Sequence, residues 1–277
     1  MIFRLLKQMA GTCALAAFAL SLNAAEGVTL INQRAAMNGK VTAADTPGFP
    51  VTISEPGIYR LSGNLTVPDA MTTAIQITVD NVALDLNGFS IIGPNVCTPN
   101  PVRCTFSGGG IGVMAVGPAG VVSPANVRVM NGMVRGMGGH GIRMMGDGTM
   151  VEKVQSMSNG GPGIVVGAGS VIDSVANLNG SGTALVGLIV RGNISNNNVF
   201  GIFVRPGGVA TGNTASFNMA GGISVNNATA TGNTSYSNGD YGIDGVCPGV
   251  ITGNTAFRNG TVNIRTNGAC TLADNAQ

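Results

Sequence analysis

Apolar and polar residues alternate over short segments along most of this chain, and turn-forming residues separate the segments. Residues 74–79 alternate strictly, which puts Ile75, Ile77 and Val79 on one side, and residues 81–87 continue the alternation. A period of two is that of a strand with one face in the core and the other toward solvent. The pattern therefore predicts many short β-strands and little helix.

From about residue 153 onward, the alternating segments recur with a period of about twenty residues. Isoleucines sit at equivalent places of this repeat, with Ala184 where one more is expected: Ile142, Ile164, Ile202, Ile223, Ile243 and Ile264. Asparagines form two further columns, which are Asn193, Asn213, Asn233, Asn254 and Asn275, and Asn159, Asn179, Asn198, Asn218, Asn238 and Asn259. Agreement between three registers indicates a repeat architecture.

Each repeat reads as three short strands, and the second and third strands each end at an asparagine. Three strands of three to five residues with their turns use roughly twenty residues, which is one coil of a β-helix. We therefore predict an all-β fold, a parallel β-helix, and the crossover rule makes it right-handed. Asparagine tolerates the left-handed conformation of a tight turn, and stacked amides can hydrogen-bond between coils. Lys153 and Asp173, which we place in the first asparagine column, should interrupt that ladder.

A family resemblance supports this fold. Residues 57–66, residues 82–88 and the Gly-Ile and Gly-Asn-Thr repeats resemble the bacterial right-handed β-helix repeat proteins of the pectin-lyase-like superfamily. The resemblance covers most of residues 55 to 275. It implies the fold but leaves the activity open, because that superfamily includes lyases, hydrolases, esterases and scaffolds without catalysis.

The start of the chain has the features of a secretory signal. Residues 1–25 combine Arg4 and Lys7 with an apolar run and a small-residue exit, so we predict a cleaved signal peptide and no membrane span afterwards. Residues 26–70 should form the N-terminal cap and first coil, and residues 71–277 the β-helix itself. The expected location is secreted or periplasmic, in a bacterium.

Charge and cysteine content limit the possible partners. Without Arg4 and Lys7 the chain has 12 basic and 12 acidic residues, which gives no basic surface for nucleic acid. Four cysteines remain, and an even number in an exported chain favours disulfides. We predict the pairs Cys97–Cys104 and Cys247–Cys270. No Cys-x-x-Cys or histidine cluster suggests a metal, and no cofactor is expected.

The resemblance also suggests where a ligand binds, because the substrate groove of pectin-lyase-like enzymes runs along the first strand of each coil. Five outward side chains on that strand are expected to bind a ligand: Arg143, Phe203, Arg205, Asp244 and Arg265. Guanidinium groups favour an anionic sugar. The chain has no Trp and only 4% aromatic residues, so stacking platforms for sugars should be scarce.

Catalytic residues are hard to find in the sequence. Hydrolysis of a glycosidic bond ordinarily needs two facing carboxylates, and calcium-dependent lyases need an acidic cluster. Gly139-His140-Gly141 resembles a polygalacturonase motif, but the accompanying acidic motifs are missing. If the chain were a lyase or hydrolase, loops would have to supply the acids, for which Asp80, Asp85 and Asp147 are the candidates.

Three functions remain open from sequence. The first is an exported, non-catalytic β-helix that binds a polysaccharide or another cell-envelope component. The second is a polysaccharide lyase or glycoside hydrolase, and the third is a purely structural or adhesive module. The oligomeric state does not follow from the sequence.

Overall fold

The computed structural model describes residues 27–105, 108–117 and 122–277, so the predicted signal peptide lies outside the described residues. It confirms an all-β parallel β-helix of about 10 turns. A short helix and 28 strands make up the described chain. In that part of the chain, we find no helix with the length and apolar character needed to cross a membrane.

The helix is α1 (Gln33–Asn38). The strands of the N-terminal half are β1 (Val28–Ile31), β2 (Val51–Ile53), β3 (Gly57–Leu61), β4 (Leu65–Thr66), β5 (Ile75–Ile77), β6 (Val82–Asp85), β7 (Ser90–Ile92), β8 (Cys97–Thr98), β9 (Arg103–Cys104), β10 (Val113–Ala115), β11 (Arg128–Arg135), β12 (Ile142–Met144), β13 (Met150–Met157) and β14 (Ile164–Val166). Those of the C-terminal half are β15 (Ser170–Ile172), β16 (Val175–Asn177), β17 (Thr183–Arg191), β18 (Ile194–Asn196), β19 (Phe200–Thr211), β20 (Thr214–Ser216), β21 (Ile223–Asn226), β22 (Thr229–Thr231), β23 (Thr234–Tyr236), β24 (Tyr241–Val246), β25 (Val250–Thr252), β26 (Thr255–Phe257), β27 (Val262–Asn267) and β28 (Thr271–Ala273).

Each coil from β2 to β26 contributes one strand, or half of a long strand, to each of three parallel sheets. In one coil β21 lies in the first sheet, β22 in the second and β23 in the third. The next coil repeats this order with β24, β25 and β26. The only antiparallel pair among the described strands is β8 with β9, which stand outside the coils.

The inward positions of the first sheet were predicted correctly, with one exception. Ile142, Ile164, Ile202, Ile223 and Ile243 are at most 2% exposed, and Ile264, in the last coil, is partly buried. The exception is the coil of β17, where Leu185 and not Ala184 pairs with both Ile164 and Ile202. Both residues are buried, so burial alone does not set the register, and the larger side chain continues the column.

Both asparagine columns form the predicted ladders. In the first, each Nδ2 donates to the Oδ1 of the asparagine one coil later, at 2.9 to 3.0 Å from Asn193 to Asn275. In the second, the same bonds run from Asn159 to Asn259 at 2.8 to 3.3 Å. No buried side-chain nitrogen or oxygen among the described residues lacks a hydrogen-bond partner. The ladders therefore stabilise the corners of the coils without leaving polar groups unpaired.

Two details of the ladder prediction were wrong. The left-handed residue is the one before each ladder asparagine, for example Gly192 with φ 67°. This leaves the asparagine itself free to point its amide into the corner. Asp173 and Lys153 align with Gly192, and the residue that continues the column is Ser174, whose backbone N–H donates to Asn193 Oδ1. The one-residue shift therefore places Ser174 where the amide ladder ends, with a hydroxyl in place of the next amide.

The N-terminal end of the β-helix is covered. Helix α1 packs Ala36, which is fully buried, against the apolar core. Side chains also close the free edges of two sheets. Asp45 Oδ1 accepts from the backbone N–H of Thr52 in β2 at 2.8 Å, and Gln33 Oε1 accepts from that of Thr66 in β4 at 2.8 Å. These bonds occupy backbone groups that another strand would otherwise pair with.

Both predicted disulfides, Cys97–Cys104 and Cys247–Cys270, are present. The first closes the β8–β9 hairpin, which crosses several coils along one corner. Its two Sγ atoms approach the carbonyl oxygen of Asn159, and Val102 N–H lies 3.1 Å from Sδ of Met219. Gly180 lies under the hairpin, where a Cβ atom would collide with Cys104. The hairpin therefore contacts several coils and holds them together.

Candidate functional site

The outward side chains of the first sheet form one straight column along the β-helix. Register pairing aligns four of the predicted residues, Arg143, Phe203, Asp244 and Arg265, with three further outward residues. Val165 and Ser224 follow the same alternation in the sequence, and the full order is Arg143, Val165, Val186, Phe203, Ser224, Asp244 and Arg265. Strands are spaced by about 4.8 Å, so six steps from Arg143 to Arg265 span roughly 29 Å. Val186 is the one member that the sequence did not identify, because the register of β17 was misplaced by one residue. The column can therefore contact an extended ligand along its length.

Arg143 lies at the N-terminal part of this column, in a cleft of ≈ 340 Å³. His140 lines the same cleft, and glycines form much of its wall, among them Gly108, Gly138 and Gly160. Arg143 is half-buried, and no carboxylate of the described residues lies within ion-pair distance of it. A guanidinium that is partly desolvated and lacks a carboxylate partner has the chemistry to bind an anionic group.

His140 is kept neutral by its surroundings. Burial lowers its pKa, and the positive charge of Arg143 lowers that pKa further. A histidine with a depressed pKa binds fewer protons in the folded than in the unfolded state, so stability falls as the pH drops below the unfolded pKa of about 6.5. We expect the free energy of unfolding to decrease between about pH 7 and pH 5 and expect His140→Asn to weaken this decrease. Urea titrations over that range would show it, and an unchanged slope in the variant would contradict it.

Phe203 and Arg205 lie on β19 at the middle of the column. Phe203 is half-buried, with Val186 and Ser224 as its neighbours in the adjacent strands. Arg205 Nε donates to the carbonyl oxygen of Val166 at 3.3 Å, two coils away. Val166 has no pairing partner in β17, because the register of β17 shifts between Gly187 and Ile189. Arg205 therefore supplies a hydrogen bond where the sheet pairing is interrupted. Its guanidinium is less available to a ligand than that of Arg143.

Asp244 and Arg265, at the C-terminal end of the column, belong to a cluster. Arg265 Nε donates to Asp244 Oδ1 at 2.8 Å, and Asp240 Oδ2 lies 3.5 Å from Arg265 Nη1. The guanidinium also lies 4.3 Å from the ring centroid of Tyr241. Hydrogen bonding to Asp244 is the main cause that raises the pKa of Arg265, and burial raises that of the Tyr241 phenol. Tyr241 is thus a hydroxyl donor at neutral pH. The sequence prediction missed Asp240 and Tyr241 because they precede the alternating part of the strand.

The acids proposed for the enzyme alternative lie on or beside the second sheet, away from the column. Asp85 accepts from Arg60 at 3.1 Å, and Asp80 accepts from the backbone N–H of Ala125 at 2.8 Å. Asp80 lies beside the second sheet one coil before Ala125. Asp147 lies beside the same sheet one coil after Ala125. Within the described ranges, no group of three His, Cys, Asp or Glu residues is placed to hold a metal ion. Asp240 and Asp244 are the closest pair of acids on the groove, and both contact the same guanidinium.

An aromatic ladder occupies the third sheet, away from the column. The ring centroids of Tyr236 and Phe257 lie 5.3 Å apart with nearly parallel planes, and Phe217 meets Tyr236 edge-on at 5.4 Å. Nearly parallel rings at this centroid distance are offset-stacked, so each ring covers part of the other's face. This geometry suits the stabilisation of neighbouring coils better than the binding of a sugar ring.

Comparison with known proteins finds similarity in structure and none in sequence. No protein-family model matches the chain, and no curated protein matches it in sequence. Two structures of mutants of the periplasmic alginate epimerase AlgG superpose with TM-scores of 0.53 and 0.50, at 11% and 10% identity, over 81% of this chain and 75% of theirs. The A-module of the Azotobacter vinelandii mannuronan C-5 epimerase AlgE4 superposes with a TM-score of 0.46 at 13% identity, over 80% of this chain and 86% of its own. At these identities the AlgG likeness concerns the fold, which is that of parallel β-helix proteins.

Proposed function

We propose that this protein is an exported β-helix that binds an acidic polysaccharide along the outer face of its first sheet and does not cleave it. The observation that carries the proposal is Arg143, a half-buried guanidinium without a carboxylate partner, in a glycine-walled cleft that opens onto the column. Two disulfides support export, because such bonds persist in oxidising compartments.

The remaining groups of the column complete the proposed site. A carboxylate of the polysaccharide binds Arg143, with the neutral imidazole of His140 as a further hydrogen-bonding group. Phe203 contacts an apolar sugar face roughly 14 Å further along, three strands from Arg143. Arg205 and the Asp244–Arg265 pair offer hydrogen bonds to sugar hydroxyls. The structurally similar AlgG is an alginate epimerase, and alginate, an acidic polysaccharide, is the first ligand to test.

The arrangement of the acids on the groove supports the proposed absence of cleavage. Hydrolysis needs one carboxyl group that donates a proton while a second acts from the other side of the bond. Asp240 and Asp244 instead converge on Arg265, which holds both on one side of the groove. We expect no new reducing ends and no unsaturated products from alginate or pectate, with or without calcium. Either product would support the lyase or hydrolase alternative.

Retention on immobilised alginate at low salt tests the binding site. The wild type should be retained, and Arg143→Ala should elute in the void volume, because the groove then loses the guanidinium that is bound neither to a carboxylate nor to a backbone carbonyl. Arg191→Ala is the matched control, since it removes one exposed arginine from the second sheet and should leave retention unchanged. Equal retention of the wild type and Arg143→Ala, or equal loss in both variants, would contradict the proposal.

A further inference from the structure

The cleft beside Arg143 contains the only histidine of the chain, His140. Among the described residues that line this cleft, these two are the only ionisable ones, and the others are six glycines, Ile111, Pro162 and Ser181. An anion in the cleft therefore meets two basic side chains and no acidic one. Histidine is the side chain whose ordinary pKa lies nearest to physiological pH, so acidity can change the charge of this cleft.

Backbone hydrogen bonds fix the turn that carries His140. The N–H of Gly139 donates to the carbonyl oxygen of Gly110 at 2.8 Å, and the N–H of Gly141 donates to that of Pro162 at 3.0 Å. The first of these bonds runs to the coil before and the second to the coil after. In the part of the chain that the structure describes, no group hydrogen-bonds to the imidazole ring itself. The ring is therefore held in the cleft wall while its nitrogens remain available to a ligand.

The protonation of His140 depends on what binds Arg143. Burial and the positive charge of Arg143 both lower the pKa of His140. A carboxylate bound to Arg143 offsets that positive charge and places a negative charge beside the imidazole, which raises the pKa of a histidine. Anion binding and proton binding therefore favour each other in this cleft, and each strengthens the other by the same factor.

Charged groups on neighbouring elements do not interfere with this coupling. The loop before β5 carries Asp69, whose carboxylate accepts from the Thr72 hydroxyl at 2.8 Å. The β8–β9 hairpin carries Arg103, whose side chain is exposed. Arg143 is the charged residue that shifts the pKa of His140, and neither Asp69 nor Arg103 contributes to that shift.

We propose that His140 takes up a proton when a carboxylate of the polysaccharide binds Arg143, so that the protein holds an acidic polysaccharide more tightly as the pH falls from about 7 to about 5. This inference rests on the proposed function and adds to it a regulation of the same site by acidity. Ordinary carboxyl groups have pKa values below about 4.5, so the ligand stays charged over this range. Coupling to one proton limits the gain in affinity to about tenfold per pH unit.

Nuclear magnetic resonance of the untagged wild type tests the proton uptake directly, because a single histidine gives a single imidazole Cε1–H signal. Titrating that signal between about pH 4.5 and about pH 8, with and without alginate oligosaccharides, measures the pKa of His140 in each state. Without alginate the pKa should lie below 6.5, and with alginate bound it should rise. A pKa that is unchanged or lower with alginate bound would overturn the proposal.

Calorimetric titration with the same oligosaccharides provides a second test. The wild type should bind about threefold to tenfold more tightly at about pH 5.5 than at about pH 7.5. His140→Asn keeps a hydrogen-bonding amide but no titratable group, so its affinity should be equal at the two pH values. His140→Lys is charged at both, so it should also lose the pH dependence and should bind more tightly than His140→Asn.

The outcomes separate the proton coupling from the proposed function. Wild-type binding that is equal at the two pH values, or a pH dependence that persists in His140→Asn, would overturn the coupling and leave the binding site standing. Absence of wild-type binding at both pH values would overturn the coupling and the proposed function together. Circular dichroism would show whether each variant folds, and if one does not, the histidine titration of the wild type decides.

Discussion

Replacing Asn213 by alanine should destabilise the β-helix by about 2–6 kcal/mol, because two buried backbone groups lose their partners at about 1–3 kcal/mol each. Asn213 Oδ1 accepts from the backbone N–H of Asn193 at 3.0 Å, and its Nδ2 donates to the carbonyl oxygen of Val190 at 2.8 Å. Alanine can do neither. The corner is closed to water, since Asn193 and Asn213 are each 1% exposed.

Urea denaturation of Asn213→Ala measures this loss, with Asn226→Ala as the matched control. Asn226 is half-buried on the outer face of the first sheet and outside both ladders, so its replacement should change the free energy of unfolding by less than about 0.5 kcal/mol. Similar losses in the two variants would mean that the ladder contributes no more than a surface amide. Because coils of a solenoid depend on their neighbours, hydrogen exchange should show the loosening first in the coils around Asn213.

The sequence predicted the parts of the fold that repeat. Each isoleucine column needs a buried apolar residue at the same place in every coil, and each asparagine column needs an amide there. Several coils therefore indicate the same register. The left-handed residue was misplaced by one position in every coil, and the other errors occurred where single coils depart from the repeat. In β17 the register shift near Gly187 is a local bulge, and no repeat signal marks it. Ser174 continues the first ladder with a shorter side chain, and a search for asparagine passes over it.

The candidate site was harder to predict because its properties depend on contacts between coils. Alternation placed Arg143, Arg205 and Arg265 on the correct face, but it could not distinguish them. The structure does distinguish them: Arg205 reaches a backbone carbonyl two coils away, and Arg265 is held by Asp240 and Asp244. Arg143 alone of the three lines a cleft with a histidine.

The second large effect is expected at Ile223. Ile223→Asp should cost about 5 kcal/mol or more and unfold the neighbouring coils, because it removes a packed side chain and leaves an unpaired carboxylate in the core. Ile223 is fully buried between Ile202 and Ile243, and no cation faces that column.

Ser224→Asp is the matched control, with the same new charge one residue further on. Ser224 faces outward beside Asp244, so an aspartate there should cost less than about 1 kcal/mol, mostly through repulsion between the two carboxylates. Thermal unfolding followed by circular dichroism would compare the two variants. Ile223→Asp should have lost its β-signal at temperatures where Ser224→Asp and the wild type remain folded. If both variants unfolded together, the inward and outward sides of the first sheet would be assigned wrongly, and the ligand-binding column would lie on the wrong face. The stability of these two variants therefore also tests the basis of the proposed function.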